Sequence, residues 1–168
     1  TESGDAGCGG NTWAPTYLDV PRTLNELGEF STVTDGIIFH NTLASSAYGF
    51  LEHGTFLPRP NYFAVLLWNR LMGKEVYETG EKIREGAHVY AHSRKDGKDG
   101  LVYLVINNSR TDTTEIELPK EAEAFILEGQ GKLRSRVMTL NGKPLTLGEN
   151  DTLPELKGKI VSGKVTLA

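Results

Sequence analysis

The stretch of sequence that decides the fold runs from residue 58 to residue 73 and reads Pro58-Arg59-Pro60-Asn61-Tyr62-Phe63-Ala64-Val65-Leu66-Leu67-Trp68-Asn69-Arg70-Leu71-Met72-Gly73. Two prolines introduce it, apolar residues recur through it at helical spacing, and a glycine is placed to end it. The stretch therefore predicts an amphipathic helix with Trp68 in the core. Beyond Gly73 the apolar pattern changes from period 3.6 to period 2, so we place a domain boundary there.

The residues before this helix indicate an α/β unit. Apolar residues recur every three positions across residues 21–33, but Pro21 and Gly28 limit a regular helix to a short piece between them. Residues 37–39 then form a short apolar run, which is typical of a buried parallel strand. His40 would lie at the C-terminal end of that strand.

Short strands dominate the second half of the chain. The strands expected are residues 88–92, 101–106, 114–118, 124–127 and 136–140. Asp-Gly pairs between the first two supply the turn of a hairpin, and Asn141-Gly142 after the last is a strong hairpin signal. The predicted fold class is α/β plus all-β. Residues 1–73 are assigned to the C-terminal part of a (β/α)8 TIM barrel, and residues 74–168 to an antiparallel β-sandwich truncated at its C-terminus.

Composition narrows the possible functions. The 168 residues are 38% hydrophobic and 24% charged, which is typical of a globular domain. A net charge of −4 with scattered Lys and Arg argues against nucleic-acid binding, and no apolar run approaches the length of a membrane span. The single cysteine, Cys8, excludes an internal disulfide framework and is expected to be a small buried residue. Because both ends look cut, we expect a segment of a longer protein.

Residues just after barrel strands are the first candidates for chemistry, because the active sites of TIM barrels lie at the C-terminal ends of their strands. Glu2, His40 and Asn41 meet that condition. Trp13 lies in a loop after a glycine run, where an aromatic ring either lines a sugar subsite or packs.

The sequence gives no indication of a metal or another cofactor. His88 and His92 lie four residues apart in a predicted strand, which puts them on one face but about 13 Å apart, too far to share a metal ion. The glycine-rich run from Gly4 to Gly10 lacks the βαβ surroundings of a dinucleotide site. We therefore expect neither a metal nor a cofactor.

Several segments, in order and at the right spacing, carry a family resemblance. They are Thr1-Glu2-Ser3-Gly4, Cys8-Gly9-Gly10, the run from Phe39 to Gly49, Pro58 to Phe63, Leu66 to Gly73, and the run from Val137 to Pro154. Together they resemble the C-terminal third of glycoside hydrolase family 79, the heparanase-like β-glucuronidases. The resemblance implies that Glu2 is the catalytic nucleophile. The general acid/base, part of an Asn-Glu pair in the family, would lie upstream of Thr1.

The resemblance also implies a set of substrate-binding residues. Gly9 and Gly10 match a glycine run whose N–H groups approach the uronate carboxylate of the substrate, and Tyr48 matches a tyrosine that hydrogen-bonds the same carboxylate. His40 stands where heparanase carries a glutamine, so we expect a contact to the sugar there and favour exo-cleavage over endo-cleavage. The alternatives are a plain flexible loop for the glycines, loop packing for Tyr48 and an ordinary strand-end histidine.

The leading functional hypothesis is a retaining glycoside hydrolase that cleaves β-glucuronosyl linkages by double displacement. Its expected partners are a substrate containing glucuronic or another uronic acid and the remainder of the catalytic barrel. The family implies a secreted, periplasmic or lysosomal location. One alternative is a non-catalytic β-sandwich module that binds glycans or packs on a barrel, and another is a related retaining glycosidase of different sugar specificity. Without the general acid/base, the isolated segment is expected to be inactive.

Overall fold

A computed structural model shows the fold and describes residues 2–4, 10–80 and 86–168, with only the backbone described for Glu2. The helices are α1 (Asp19–Val33) and α2 (Pro60–Leu71). The strands are β1 (Glu2–Ser3), β2 (Phe39–His40), β3 (Met72–Tyr77), β4 (His88–Arg94), β5 (Leu101–Ile106), β6 (Thr114–Ala124), β7 (Leu127–Glu128), β8 (Thr139–Leu140), β9 (Lys143–Pro144) and β10 (Lys159–Leu167). A 3-10 turn covers Glu149–Asp151.

The first two strands form a parallel pair. Glu2 lies opposite Phe39, and Ser3 lies opposite His40. In the described part of the chain, β2 thus begins at Phe39, two residues later than the strand predicted at residues 37–39. Ile37 and Phe39, expected to be buried, are 72% and 64% exposed. Among the described residues, nothing covers this face of the pair.

Helix α1 is longer than the sequence predicts. It runs from Asp19 to Val33 and contains both residues that were expected to limit it. Pro21 is tolerated because it lies in the first turn, where a backbone N–H has no partner within the helix. Gly28 is retained inside the helix for packing, since a Cβ atom there would collide with the ring of Tyr90. A tertiary contact thus explains a residue that looks like a helix terminator.

Helix α2 begins at Pro60, as predicted, and buries Phe63, Ala64 and Leu67. Trp68 packs against the edge of the core, which confirms the prediction for that side chain. The helix ends at Leu71 and the chain passes directly into β3, so the prediction of Gly73 as the helix stop is wrong. Gly73 instead lets β3 approach the backbone of Ser93.

Three small antiparallel sheets follow. One has the order β3-β4-β5 and contains the predicted hairpin; a second joins β6 to β10; a third has the order β7-β8-β9. The last closes at Asn141 and Gly142, whose φ angles of 50° and 80° match the predicted hairpin turn. Strand β6 continues beyond residue 118 because Pro119 lies where its register with β10 shifts. In place of the strands predicted at residues 124–127 and 136–140, the structure has the two-residue strands β7 and β8.

The described chain is thus a mixed helix-and-sheet fold with small antiparallel sheets, and it is not a closed barrel. Its core takes Val20, Leu24 and Phe63 from the helices and Tyr90 and Ile106 from the first sheet. The third sheet and the loop after it add further buried residues: Met138, Leu140 and Leu145. One hydrophobic cluster therefore extends across the predicted boundary at residue 73.

His92 adds a buried polar link between the helices and the first sheet. Its Nδ1 lies 2.9 Å from the carbonyl oxygen of Gly73 and donates to it, and its Nε2 lies 3.1 Å from Oγ of Ser31. The ring also meets Trp68 edge to face at 5.1 Å. Both nitrogens of this histidine therefore have partners within the fold.

We predict that Gly28→Ala lowers the melting temperature of the protein, although the same change normally stabilises a helix by up to about 1 kcal/mol. The added methyl group meets the buried ring of Tyr90, and overpacking of this kind costs about 1–3 kcal/mol. A double-mutant cycle with Tyr90→Leu provides the check, because the loss should largely disappear once the ring is removed. Independent, additive effects of the two changes would contradict the contact.

Candidate active site

The candidate nucleophile lies on β1, beside the C-terminal end of β2. The amide of Asn41 donates to the carbonyl oxygen of Ser3 at 2.7 Å, so the parallel pairing continues to the last residue of β2. Glu2 and His40 consequently lie on neighbouring parallel strands. The backbone of Glu2 is described, and its side chain is not.

Tyr48 packs its ring against two glycines near that strand. A Cβ atom at Gly10 would lie 2.7 Å from Cδ1 of Tyr48, and one at Gly4 would lie 3.4 Å from Cε2. Gly10 also has a φ of +84°, a conformation that side chains disfavour. The structure therefore brings Tyr48 and Gly10 together, and Tyr48 also lies against Gly4, two residues after Glu2. The predicted partner Gly9, like Cys8, lies outside the described residues.

Tyr48 is buried as a residue, with 6% of its surface exposed. Its hydroxyl makes no hydrogen bond to any residue that the structure describes, and it is not one of the fully buried polar atoms there that lack a partner. The backbone of the same residue is well held. Its carbonyl oxygen accepts one bond from Nε2 of His40 at 2.9 Å and another from Nδ2 of Asn61 at 3.2 Å. The loop is thus fixed through its main chain, while a phenol suited to donate to an anion has no partner among these residues.

His40 is placed behind Tyr48. Its Nε2 is used by the Tyr48 carbonyl, and its ring stacks on Phe50 with centroids 3.9 Å apart and an interplanar angle of 17°. A second predicted site residue thereby supports the Tyr48 loop. A direct contact between His40 and the sugar stays a prediction.

A buried carboxylate, which sequence reasoning missed, lies between the two helices. Asp19 is fully buried, and its Oδ1 pairs with Nε of Arg22 at 2.6 Å. Its Oδ2 accepts from Thr23 at 3.3 Å and from Nδ2 of Asn61 at 3.1 Å. Since the amide of Asn61 also reaches the Tyr48 carbonyl, Asp19 helps to fix the Tyr48 loop. In the sequence, the spacing of Asp19 and Arg22 resembles an ordinary surface ion pair.

The same network reaches β1. Nη1 of Arg22 pairs with Glu26 at 2.8 Å, and Glu26 accepts a hydrogen bond of 2.6 Å from Oγ of Ser3. Burial by itself would lower the pKa of Arg22, but the hydrogen bonds and charges of Asp19 and Glu26 outweigh it and raise that pKa above its ordinary value. A chain of polar contacts therefore joins the residue after Glu2 to the loop of Tyr48.

The remaining candidates lie apart from this network. Trp13 is half-buried in a loop shaped by Asn11, whose Oδ1 accepts from the amides of Trp13 and Ala14 at 2.9 and 3.0 Å. This placement is compatible with either of its expected roles.

Within residues 2–4, 10–80 and 86–168, no three His, Cys, Asp or Glu side chains are grouped so as to hold a metal ion. Neither helix of that part of the chain is long and apolar enough to cross a membrane.

Comparison with known proteins gives consistent relatives, although no protein-family model matches the chain. It is 32% identical over 147 residues to baicalin-β-D-glucuronidase of Scutellaria baicalensis, a match that covers 84% of this chain and 28% of the relative. It is 30% identical over 194 residues to heparanase-like protein 1 of Arabidopsis thaliana, covering 93% and 36%. Inactive heparanase-2 of Homo sapiens is 28% identical over 181 residues, covering 95% and 31%.

These matches extend over most of the chain, which spans about a third of the length of the curated relatives it matches. They confirm the family predicted from the sequence. The relatives include an enzyme and a protein named inactive, so similarity alone does not decide whether catalysis takes place. The curated homologues of this chain are β-glucuronidases and heparanase-like proteins, the proteins of glycoside hydrolase family 79.

Proposed function

We propose that this chain forms the nucleophile side of a retaining glycoside hydrolase that cleaves β-glucuronosyl linkages, with Glu2 as the nucleophile. One observation carries the proposal: the ring of Tyr48 lies against Gly4 and Gly10 beside the strand of Glu2, with its hydroxyl unpartnered among the described residues. A neutral donor beside the strand that carries Glu2 supports the recognition of a charged sugar there. The name of the β-glucuronidase relative supports the substrate class.

In the proposed reaction, the ionised carboxylate of Glu2 attacks the anomeric carbon, and the bond from that carbon to the leaving oxygen breaks. The leaving oxygen takes a proton from a general acid, which the family resemblance puts outside this chain. A covalent glycosyl ester at Glu2 results. Water then attacks the anomeric carbon and gives a proton to the same acid/base residue, and the bond to Glu2 breaks. Two inversions return the sugar with its original configuration.

The substrate carboxylate would be recognised by Tyr48 together with the glycine run. The Tyr48 hydroxyl donates to the uronate without bringing a charge of its own. The backbone N–H groups of Gly9 and Gly10 approach the same carboxylate, because glycine has no Cβ to hold it away. A neutral sugar lacks the charged acceptor, so these contacts distinguish a glucuronide from a glucoside.

The proposed partner of this chain is the remainder of a (β/α)8 barrel. Parallel sheets are usually covered on both faces and contain more than two strands. In this chain the pair β1–β2 leaves Ile37 and Phe39 exposed, and Val33 at the end of α1 is 77% exposed. Neighbouring barrel strands and helices would pair with this edge and cover these side chains.

A second candidate function is a non-catalytic module that keeps the scaffold without the chemistry. It is favoured by the match to inactive heparanase-2, which covers 95% of this chain. The two functions differ in whether a covalent intermediate forms at Glu2.

We predict that Glu2→Gln in the parent protein abolishes turnover of an aryl β-glucuronide without changing its melting temperature, because the amide has nearly the same shape but is not a nucleophile. Incubation of the unchanged protein with a mechanism-based uronide should add one sugar at Glu2, detected by intact and peptide mass. Glu149→Gln, at an exposed turn, serves as the matched control and should be fully active. Labelling of another carboxylate would refute the assignment, and no labelling would favour the non-catalytic module.

We predict that Tyr48→Phe lowers kcat/KM for an aryl β-glucuronide more than for the β-glucoside with the same leaving group. The lost hydrogen bond is to a charged group and is worth about 1.5–3 kcal/mol, roughly a tenfold to hundredfold change. Steady-state kinetics on the two substrates measure the difference. Equal losses would mean that the phenol only fills space between the glycines.

We predict that Gly10→Ala impairs glucuronide hydrolysis far more than Gly54→Ala does. Both glycines have positive φ, +84° and +87°, so both changes carry the same backbone strain. A Cβ at Gly54 meets nothing within 4 Å, whereas one at Gly10 displaces the Tyr48 ring. The comparison separates the contacts made at Gly10, with Tyr48 and with the substrate carboxylate, from backbone strain. Similar kinetics for the two variants would show that this contact does not shape the site.

A further inference from the structure

The loop of Tyr48 presents its backbone carbonyl groups to buried and half-buried side chains. Nη1 of Arg59 lies 2.6 Å from the oxygen of Ser46, 2.8 Å from that of Ala47 and 3.1 Å from that of Gly49. The carbonyl between them, that of Tyr48, accepts the two side-chain bonds described above. Four consecutive carbonyl groups thus point inward, and one guanidinium holds three of them.

The burial and the charges around Arg59 explain why these carbonyl groups bind it. The side chain is half-buried, and among the described residues no carboxylate lies within ion-pair distance of it. Burial lowers its pKa; the charge of Glu52 opposes this and that of Arg136 adds to it. A desolvated cation without a paired anion needs other compensation, and the carbonyl dipoles provide it. Its backbone amide also donates to Phe50 at 2.9 Å, which fixes the start of α2.

We propose that Arg59 is a positioning residue that sets selectivity for glucuronides by holding the loop of Tyr48 in shape. It acts through Tyr48, whose ring is seated on Gly4 and Gly10, and it does not touch the sugar. A loop released from Arg59 would let the phenol move away from the substrate carboxylate. This inference rests on the proposed role of Tyr48 in binding the uronate.

All three contacts come from Nη1, whose two N–H groups are shared among three carbonyl oxygens. The type of side chain matters because the planar guanidinium holds this nitrogen in a fixed orientation, whereas an ammonium is a compact point charge on a flexible stem. Arg59→Lys keeps the charge but should not hold all three carbonyl groups. We expect it to lower the ratio of kcat/KM for an aryl β-glucuronide over the matching β-glucoside roughly tenfold to a hundredfold, the loss expected from a small misplacement. Arg70→Lys, at the exposed end of α2, is the matched control and should leave the ratio unchanged.

Two further measurements in the parent protein separate positioning from general destabilisation. In Arg59→Ala, added ethylguanidinium should restore the ratio at least partly, while ethylammonium should not. Hydrogen exchange of peptides covering residues 42–52, measured without substrate, should be faster in Arg59→Lys and unchanged in Arg70→Lys. Equal losses on both substrates, an unaltered ratio or unaltered exchange in Arg59→Lys would overturn the proposal.

The design also distinguishes this inference from the proposed function. If the unchanged protein cleaves no β-glucuronide, the proposed function is overturned, and the selectivity role of Arg59 with it. If the unchanged protein is an active glucuronidase in which Tyr48→Phe alters the ratio and Arg59→Lys does not, only the role of Arg59 is overturned.

Discussion

The fully buried carboxylate of Asp19 is the constraint on which the site depends. A buried charge is tolerated only when it is paired and hydrogen-bonded, and removing one partner costs about 3–5 kcal/mol. Asp19 obtains its partners from Arg22 and Thr23 on its own helix and from Asn61 on α2. The position of α1 relative to α2 is therefore fixed at this point. The Tyr48 carbonyl is fixed with it, because it shares the amide of Asn61.

The two helices make mainly polar contacts on one side and mainly packing contacts on the other. One side carries the polar chain that connects Ser3 to the Tyr48 loop. The other side is apolar and closely packed, with the ring of Tyr90 against Gly28 and its hydroxyl donating to Asn25 at 2.8 Å. The strands of the second half of the chain thereby support the candidate site from behind. A reading in which residues 74–168 form an independent module has to account for this shared core.

Elements whose boundaries depend on the conformational preferences of neighbouring residues were predicted from the sequence. The prolines before α2 and the Asn141-Gly142 turn are examples, since each fixes its own backbone angles. Gly28 misled the prediction of α1 because its reason is a contact with Tyr90, 62 positions away in the chain. Asp19, Asn61 and Arg59 went unrecognised for a similar reason. Each looks like a polar surface group in the sequence until its distant partners are known.

In the candidate site, too, some residues could be recognised from the sequence, whereas the residues that position them could not. Glu2, Gly10 and Tyr48 came from a family resemblance, and the structure packs the ring of Tyr48 against Gly10 and against Gly4, two residues after Glu2. The residues that hold them, by contrast, form a network that links the two helices of this chain and includes neither Glu2 nor the Tyr48 hydroxyl. That separation gives a physical account of how relatives named inactive can match nearly the whole chain. Overall similarity reports mainly the scaffold, because the buried charge and shared core constrain many positions. The catalysis that we propose needs a few additional groups: an ionised Glu2, a free Tyr48 hydroxyl and an acid supplied from elsewhere.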